Sequence, residues 1–338
     1  MKTKTSRLDR HSRILLAFTC LLTLGIHTAR AMVEGNLKKT FTVSPGGKLV
    51  VDADRGSIEV NSTKDSAVQV EVFRKITGTR DVRGQAILDD HKVNMEQEGN
   101  TVTVRAKGKK EISNAWNNDR NRLQVRYVIS VPDKFNVDLK TSGGNITVDD
   151  LNGEVKVRTS GGNLKLGKIQ GPINGHTSGG NVKVAGGKGV VKVETSGGNM
   201  EIGEVEGNVS AHTSGGSIHI KTVKGDLVAR TSGGGITAEA VHGSLEASTS
   251  GGSISAALAD QPTGDSRIET SGGNISVRLN ERAAFDINAH ANGGGVNTEL
   301  PVTSIGEHKR SSLKGKLNGG GKSLVLKTSG GNIHLRKL

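Results

Sequence analysis

The sequence predicts an all-β protein folded as a parallel β-helix, or β-solenoid, with 18-residue coils. One observation is a tetrapeptide, Thr-Ser-Gly-Gly, whose first seven copies follow one another at intervals of 18 residues. A fixed period of this size is typical of repeat architectures. The other observation is that each unit divides into two nines with apolar residues at positions three and five, the period of a strand with one buried face. The tetrapeptide begins at Thr141, Thr159, Thr177, Thr195, Thr213, Thr231, Thr249, Thr270 and Thr328.

Stacked parallel coils explain why one residue type stays in register over so many units, because each position then forms a ladder along the stack. Ile146 and Val148 begin two aliphatic ladders of this kind. The glycine pair marks a corner where close backbone approach or a positive φ excludes a Cβ atom. Threonine and serine hydroxyls can bond to backbone groups at such a corner. An asparagine ladder, of the kind that stabilises parallel in-register strands, is predicted from Asn145, Asn163, Asn181 and Asn199.

Residues 1–31 have the pattern of a secretory signal peptide. Basic residues precede an apolar run over 14–26, and Ala29-Arg30-Ala31 is a cleavage pattern. The run is shorter than the ~20 residues that a membrane-spanning helix needs. We therefore predict an exported protein, located in the periplasm, at the cell surface or secreted. An uncleaved anchor is the alternative, and lipid attachment at Cys20 is disfavoured by Thr19.

Cleavage removes the only cysteine and much of the basic excess. The net charge falls from +13 to +8, because the leader carries six of the 46 Lys and Arg residues and one of the 33 Asp and Glu residues. The mature chain then forms no disulfide, so ladders and the core must stabilise it. Aromatic residues are only 2% of the sequence, and together with export this argues against a nucleic-acid-binding class.

Residues 32–136 lack the 18-residue period, and we interpret them as irregular first coils that form an N-terminal β-rich cap. A short helix is predicted over 81–91. The polar stretch 105–121 is predicted as a loop containing Trp116, which either packs against the cap or serves as a ligand platform. Strands are predicted over 41–43, 48–52, 57–60, 67–73, 92–96, 101–105 and 123–131.

Residues 137–338 are predicted to form the regular solenoid. After Gly252 the spacing lengthens by three residues in two units, and the phase is lost in a predicted loop at about 299–317. Insertions in repeat arrays map to loops on one face, often the binding face.

The passage over 131–148, with its Val-Pro start and Thr-Ser-Gly-Gly-Asn-Ile end, resembles the bacterial putative-adhesin family of β-strand-repeat proteins. So do Ser57-Ile58-Glu59-Val60 and the repeated tetrapeptide. The resemblance covers about residues 40–338. It implies a β-helical solenoid of the cell envelope or exterior, of unknown function and without known catalytic residues.

One outward-facing column could carry metal chemistry. His176, Glu194 and His212 are expected on successive coils, roughly 4.8 Å apart, where imidazole and carboxylate groups could bind zinc. Arginines flank them, at Arg158 and Arg230, so ion pairing between exposed neighbours explains the column better. Ser248, Glu269 and His290 are expected to continue it.

The C-terminal segment 310–338 is basic, with no acidic residue. Its side chains could contact anionic lipid headgroups or an acidic polymer. The alternative is that they protect the unpaired edge of the last strand. Together with Trp116, the candidate interaction residues are Arg310, Lys314, Lys316, Arg336 and Lys337.

We therefore predict an exported, non-enzymatic structural or adhesion-type solenoid that binds no cofactor. Its partner would be an envelope or extracellular polymer or protein, held by many weak polar contacts, with peripheral contact to an anionic membrane possible. The protein would be a monomer or an end-to-end oligomer. One alternative is a self-assembling scaffold resembling bactofilins, and a second is a β-helical glycan-active enzyme.

Overall fold

The structure is a computed structural model that describes residues 32–77, 81–108, 123–304 and 309–338. The predicted leader and Trp116 lie outside the described residues. The described strands form two long sheets, which we name sheet A and sheet B, and the two share one apolar core. The predicted all-β solenoid is confirmed.

The N-terminal elements include a strand at or next to each of the seven predicted ranges, and in addition a strand at Met32–Glu34, which was not predicted. Helix α1 ends one residue earlier than predicted. The elements are β1 (Met32–Glu34), β2 (Leu37–Thr42), β3 (Lys48–Ala53), β4 (Ser57–Thr63), β5 (Ala67–Thr77), α1 (Asp81–Asp90), β6 (Lys92–Glu98), β7 (Thr101–Lys107) and β8 (Leu123–Pro132).

Regular coils follow, each placing one strand in sheet B and then one in sheet A. Their strands are β9 (Asn136–Lys140), β10 (Ile146–Val148), β11 (Leu151–Asn152), β12 (Val155–Arg158), β13 (Leu164–Gln170), β14 (Ile173–His176), β15 (Val182–Lys188), β16 (Val191–Glu194), β17 (Met200–Glu206), β18 (Val209–His212), β19 (Ile218–Val223), β20 (Leu227–Arg230), β21 (Ile236–Val241), β22 (Leu245–Thr249), β23 (Ile254–Leu258), β24 (Ser266–Thr270) and β25 (Ile275–Leu279).

The final elements are β26 (Phe285–Ala291), β27 (Val296–Thr298), β28 (Val302–Ser304), β29 (Ser312–Leu317), β30 (Lys322–Thr328) and β31 (Ile333–Lys337). Two of these strands, β28 and β29, lie within the stretch that the sequence predicted as a loop.

The coil register follows the sequence period. Leu164 pairs with Val182, 18 residues later, in parallel strands. Ile254 pairs with Ile275, so the three-residue insertion enlarges the coil without disturbing the stack. Inward positions such as Leu164 and Val182 are almost fully buried. Apolar burial along these columns is the main stabilisation of the stack.

The C-terminal coil does not occupy the end of the stack. Strand β30 lies between β24 and β26, and β31 lies between β25 and β27, all in parallel. Along the chain, the coil of β26 and β27, which lies at the end of the stack, comes first. Strands β28 and β29 follow on its outer side, where β29 pairs antiparallel with β26 and β28 pairs antiparallel with β29. The last coil, β30 and β31, then lies between this end coil and the coil of β24 and β25. The expectation that the last strand is an exposed edge is wrong, because β31 has a partner on both sides.

The N-terminal end is built in mirror fashion. Strands β3 and β4, the first coil in the chain, lie between the coil of β9 and β10 and the coil of β7 and β8. Antiparallel strands then cover the outer coil, with β5 on β8 and β6 on β7. The first and the last coil of the chain thus each lie one coil inside the stack, whereas β1 and β2 pair with β5 on the outer side of the N-terminal end.

The insertion also changes the predicted outward column. Lys327 of β30 pairs with Glu269 on one side and with His290 on the other. The sequence order suggested that Glu269 and His290 are neighbours, but Lys327 lies between them. The repeat phase is identical in both coils, so spacing alone cannot reveal which one stacks first.

Candidate functional site

The Thr-Ser-Gly-Gly corner is held by its threonines, which point into the core. Thr177 is fully buried, and its Oγ1 donates a hydrogen bond to the carbonyl oxygen of Gly162 in the preceding coil, at 2.7 Å. The equivalent bond recurs at all nine copies. Because a buried hydroxyl must find a partner, each threonine fastens its corner to the coil below.

The two glycines of each corner have different roles. A Cβ atom on Gly180, the second glycine, would lie 2.0 Å from the carbonyl oxygen of Gly162. On Gly179, the first glycine, the nearest atom would be the Ser160 carbonyl oxygen at 3.8 Å. At this corner only the second glycine is required by close backbone approach. At later corners the first glycine is also close to backbone, since a Cβ atom on Gly251 would lie 3.0 Å from the Gly233 carbonyl oxygen. The first glycines are exposed.

In each corner the serine lies between the threonine and the first glycine, and it faces solvent. These serines form a continuous row, which we name the serine strip together with the adjoining first glycines. Within the described residues, no serine hydroxyl of this row is hydrogen-bonded to another residue. At about 4.8 Å per coil, nine rungs extend over roughly 38 Å. In stacking order the serines are Ser142, Ser160, Ser178, Ser196, Ser214, Ser232, Ser250, Ser271 and Ser329.

The predicted asparagine ladder is confirmed and borders the serine strip. The Oδ1 atom of Asn145 accepts a hydrogen bond from the backbone N–H of Asn163 at 2.8 Å. Asn163 and Asn181 repeat this bond to the next coil, at 2.7 and 2.8 Å. The exposed amide groups retain N–H donors for solvent or a ligand. Serine, glycine and asparagine positions are all uncharged, so this corner is a neutral surface on a basic protein.

The His176, Glu194 and His212 column lies in the predicted register. Glu194 contacts His176 Nδ1 at 3.6 Å and Lys192 Nζ at 3.2 Å. Partial burial raises the pKa of Glu194, but Lys192 and His176 lower it more, and its pKa lies below the usual value. In the described parts of the chain, no three His, Cys, Asp or Glu side chains are grouped closely enough to hold a metal ion. At Glu194 the column shows the pairing between exposed neighbours that the sequence suggested.

The basic candidate residues are distributed over two sheets. Lys314 and Lys316 lie exposed on β29, at the sheet B end of the C-terminal cap, close in sequence to exposed Arg310. In sheet A, Arg336 Nε lies 3.8 Å from Glu299, and Lys337 Nζ lies 3.2 Å from Glu281. The acidic partners come from outside the basic segment, which is why the sequence did not indicate them.

A cavity of about 550 Å³ lies in the N-terminal cap. Buried His91 places its Nε2 3.3 Å from Asp54 Oδ1, and the Gly108 N–H donates to the other carboxylate oxygen. Burial raises the pKa of Asp54, but the hydrogen bonds from His91 and Gly108 lower it more, so the net shift is downward. Sequence reasoning missed this pair. The residues are far apart in the chain, and no motif connects them.

Comparison with known proteins gives one family match. The model of the Toastrack DUF4097 family matches residues 47–336. A search of curated proteins found no match. Across the described residues, no helix is long and apolar enough to cross a membrane.

Similar solved structures include a putative adhesin from Bacteroides fragilis, at 17% identity, 72% coverage of this chain, 97% of that chain and a TM-score of 0.40. A putative adhesin from Parabacteroides merdae is 13% identical, with 89% and 96% coverage and a TM-score of 0.42. A putative lipid binding protein from Parabacteroides distasonis is 14% identical, with 88% and 96% coverage and a TM-score of 0.35.

Proposed function

The chain belongs to the Toastrack DUF4097 family, and we propose that it is an exported, non-enzymatic solenoid of the cell envelope or exterior. In this proposal it holds an extended polymer or a partner protein on the serine strip. The observation that carries the proposal is the strip itself, an exposed, uncharged row of hydroxyls and glycines.

The chemistry of the strip favours binding over catalysis. Hydroxyls and amides form hydrogen bonds, but they supply no general acid or base near neutral pH. Each contact is weak, because a hydrogen bond to an exposed group replaces one to water. Repetition along the stack raises the overall affinity, since each further contact is made at high effective concentration. A long, repetitive ligand is therefore favoured over a small molecule.

The two caps bear on the scaffold alternative. End-to-end stacking needs free strand edges at both ends of the solenoid. Here antiparallel strands cover the N-terminal coil and β26, and the edge strands β1, β27 and β28 are only three residues long, whereas the edge strand β6 has seven residues. Short edge strands of this kind discourage pairing between chains. The geometry therefore favours a monomer over a bactofilin-like filament.

Binding to whole cells and to isolated envelope polymers tests the proposal, with protein starting at Met32 and two salt concentrations. The test variant is Ser196→Arg with Ser214→Arg, which places two long side chains on the strip. The matched control is Val190→Arg, an exposed position at the opposite corner of the coil. We expect binding that tolerates salt and is lost only in the strip variant.

Equal binding by the strip variant and wild type would refute the proposed contact surface. Binding that disappears in high salt would instead assign the contact to basic residues such as Lys314 and Lys316. Export has its own measurement, namely cell fractionation and mass determination of the N terminus, with cleavage expected after Ala31.

A further inference from the structure

A notch in sheet A, far from the serine strip, interrupts the regular surface of the solenoid. In β15 the sequence Ala185-Gly186-Gly187 stands where β13 has Gly-Lys-Ile and β17 has Gly-Glu-Val. Gly186 thus leaves a gap in the outward column between Lys168 and Glu204. The notch has a volume of about 480 Å³.

The floor of the notch is fixed by the backbone. Gly186 and Gly187 have φ values of 140° and 146°, in the region that side chains rarely adopt. A Cβ atom on Gly187 would lie 1.9 Å from the Ile169 carbonyl oxygen, and one on Gly186 would lie 2.4 Å from that of Glu204. Neither position accepts a larger residue, so the notch is a built feature of the coil.

The rim of the notch is basic. Lys168, Lys188, Lys221 and Lys224 line it, opposed by two glutamates. Glu206 is paired with Lys224 at 2.7 Å and with Lys188 at 3.9 Å.

Two of the rim lysines lie outside the Glu206 pairs. Lys168 and Lys221 form no ion pair with any other residue in the described part of the chain, although the pKa of Glu201 is lowered chiefly by Lys183 and further by Lys221. Glu204 lies between Gly186 and Thr222 in the outward column, and the four lysines still leave a net positive charge around the glycine floor. Charges within about 8 Å of a bound group act on it with little screening at physiological salt.

We infer that this notch binds the acidic groups of an anionic polysaccharide, carboxylate or sulfate, between Lys168 and Lys221. A concave recess admits one group of a chain, whereas a membrane surface is flat and would meet the rim only. Gln170 and Thr222 at the rim add hydrogen-bonding groups suited to sugar hydroxyls. The site is separate from the serine strip and does not depend on the function proposed for it.

Titration with polygalacturonate and with dextran sulfate tests the inference, using neutral dextran as the reference polymer. The charge variant is Lys168→Glu with Lys221→Glu, and the shape variant is Ala185→Leu, which fills the notch from an exposed position without changing charge. The matched control, Lys64→Glu with Lys134→Glu, makes the same charge change at two exposed positions in the N-terminal part of the chain. Far-UV circular dichroism checks that all variants fold.

We expect the charge variant to lose at least about tenfold in affinity for one or both acidic polymers. The shape variant should lose affinity as well, and the control should stay within about twofold of wild type. Equal losses in the charge variant and the control would overturn the inference, because diffuse net charge would then explain binding. Full binding by Ala185→Leu would overturn it too.

Vesicles containing anionic lipid form a further arm. If they bind with the same dependence on Lys168 and Lys221 while the polysaccharides do not bind, the partner assignment is wrong. Binding of a polysaccharide that requires the notch, in protein whose serine strip carries arginines, would support this site independently of the strip.

Discussion

Adding one methyl group to the second glycine of a corner, in Gly180→Ala, tests what holds the coils together. The new Cβ atom would lie 2.0 Å from the carbonyl oxygen of Gly162, so the two coils must separate locally by about 1 Å or more. The same carbonyl accepts the buried hydrogen bond from Thr177 at 2.7 Å. Overpacking costs about 1–3 kcal/mol, and weakening that bond adds about 0.5–1.5 kcal/mol. We expect the free energy of unfolding to fall by about 2–4 kcal/mol.

Gly179→Ala is the matched control, one residue away in the same corner. Its Cβ atom would be 3.8 Å from the nearest atom, an ordinary contact. We expect a change within about 0.5 kcal/mol, or a slight gain from reduced freedom of the unfolded chain. Urea unfolding followed by far-UV circular dichroism measures both variants. The slope of the transition shows whether the array still unfolds as one unit.

A free energy of unfolding for Gly180→Ala within about 0.5 kcal/mol of wild type would show that the close approach does not constrain this position. Equal destabilisation by both alanine substitutions would show the same, because glycine would then not be selected at the second position by its contact with the carbonyl oxygen.

Three further predictions concern a corner threonine, Asp54 and the inserted C-terminal coil. Thr195→Val should destabilise the protein by about 1–2 kcal/mol in urea unfolding, because it leaves the Gly180 carbonyl without the bond at 2.8 Å, whereas exposed Ser196→Ala should change little. Because the pKa of Asp54 is lowered in the folded state, its stabilisation is present above its ordinary pKa and is lost as the pH falls through the folded value. Asp54→Asn should therefore be less stable than wild type at pH 7, and the difference should shrink as the pH falls below the ordinary pKa of an aspartate. Deleting residues 319–338 removes the inserted coil from between two parallel partners, and limited proteolysis should then cleave the chain near the C-terminal cap; an unchanged digestion pattern would contradict the insertion.

The features that could be predicted from the sequence depend on contacts between residues one period apart. The spacing of the tetrapeptide predicts the coil length, the inward apolar columns and the asparagine ladder, because every coil repeats the same contacts with the next one. Asn145 and Asn163, for example, are one period apart and directly bonded. The interruption at Gly187, where other coils carry an apolar residue, was also present in the sequence as a signal for the notch.

Contacts between elements with different phases were not predictable. His91 and Asp54 meet only because α1, which packs on β1 and β5, places His91 beside the residue that follows β3, and no periodicity relates them. The partners of Arg336 and Lys337 are Glu299 and Glu281, which lie 37 and 56 positions earlier in the chain. These contacts depend on how the caps fold over the solenoid.

By itself, the sequence determined the repeating coil, because its register and corners depend on residues one period apart. The order of the coils was decided only by the tertiary structure. The last coil presents the same rungs to its neighbours as the coil encoded before it, so the pattern fits either order. Strands β28 and β29, packed antiparallel outside β26, place that coil at the end and leave the inner position for β30 and β31. The Thr-Ser-Gly-Gly corners therefore form a continuous strip in space, although its last serine, Ser329, belongs to the final coil in the chain.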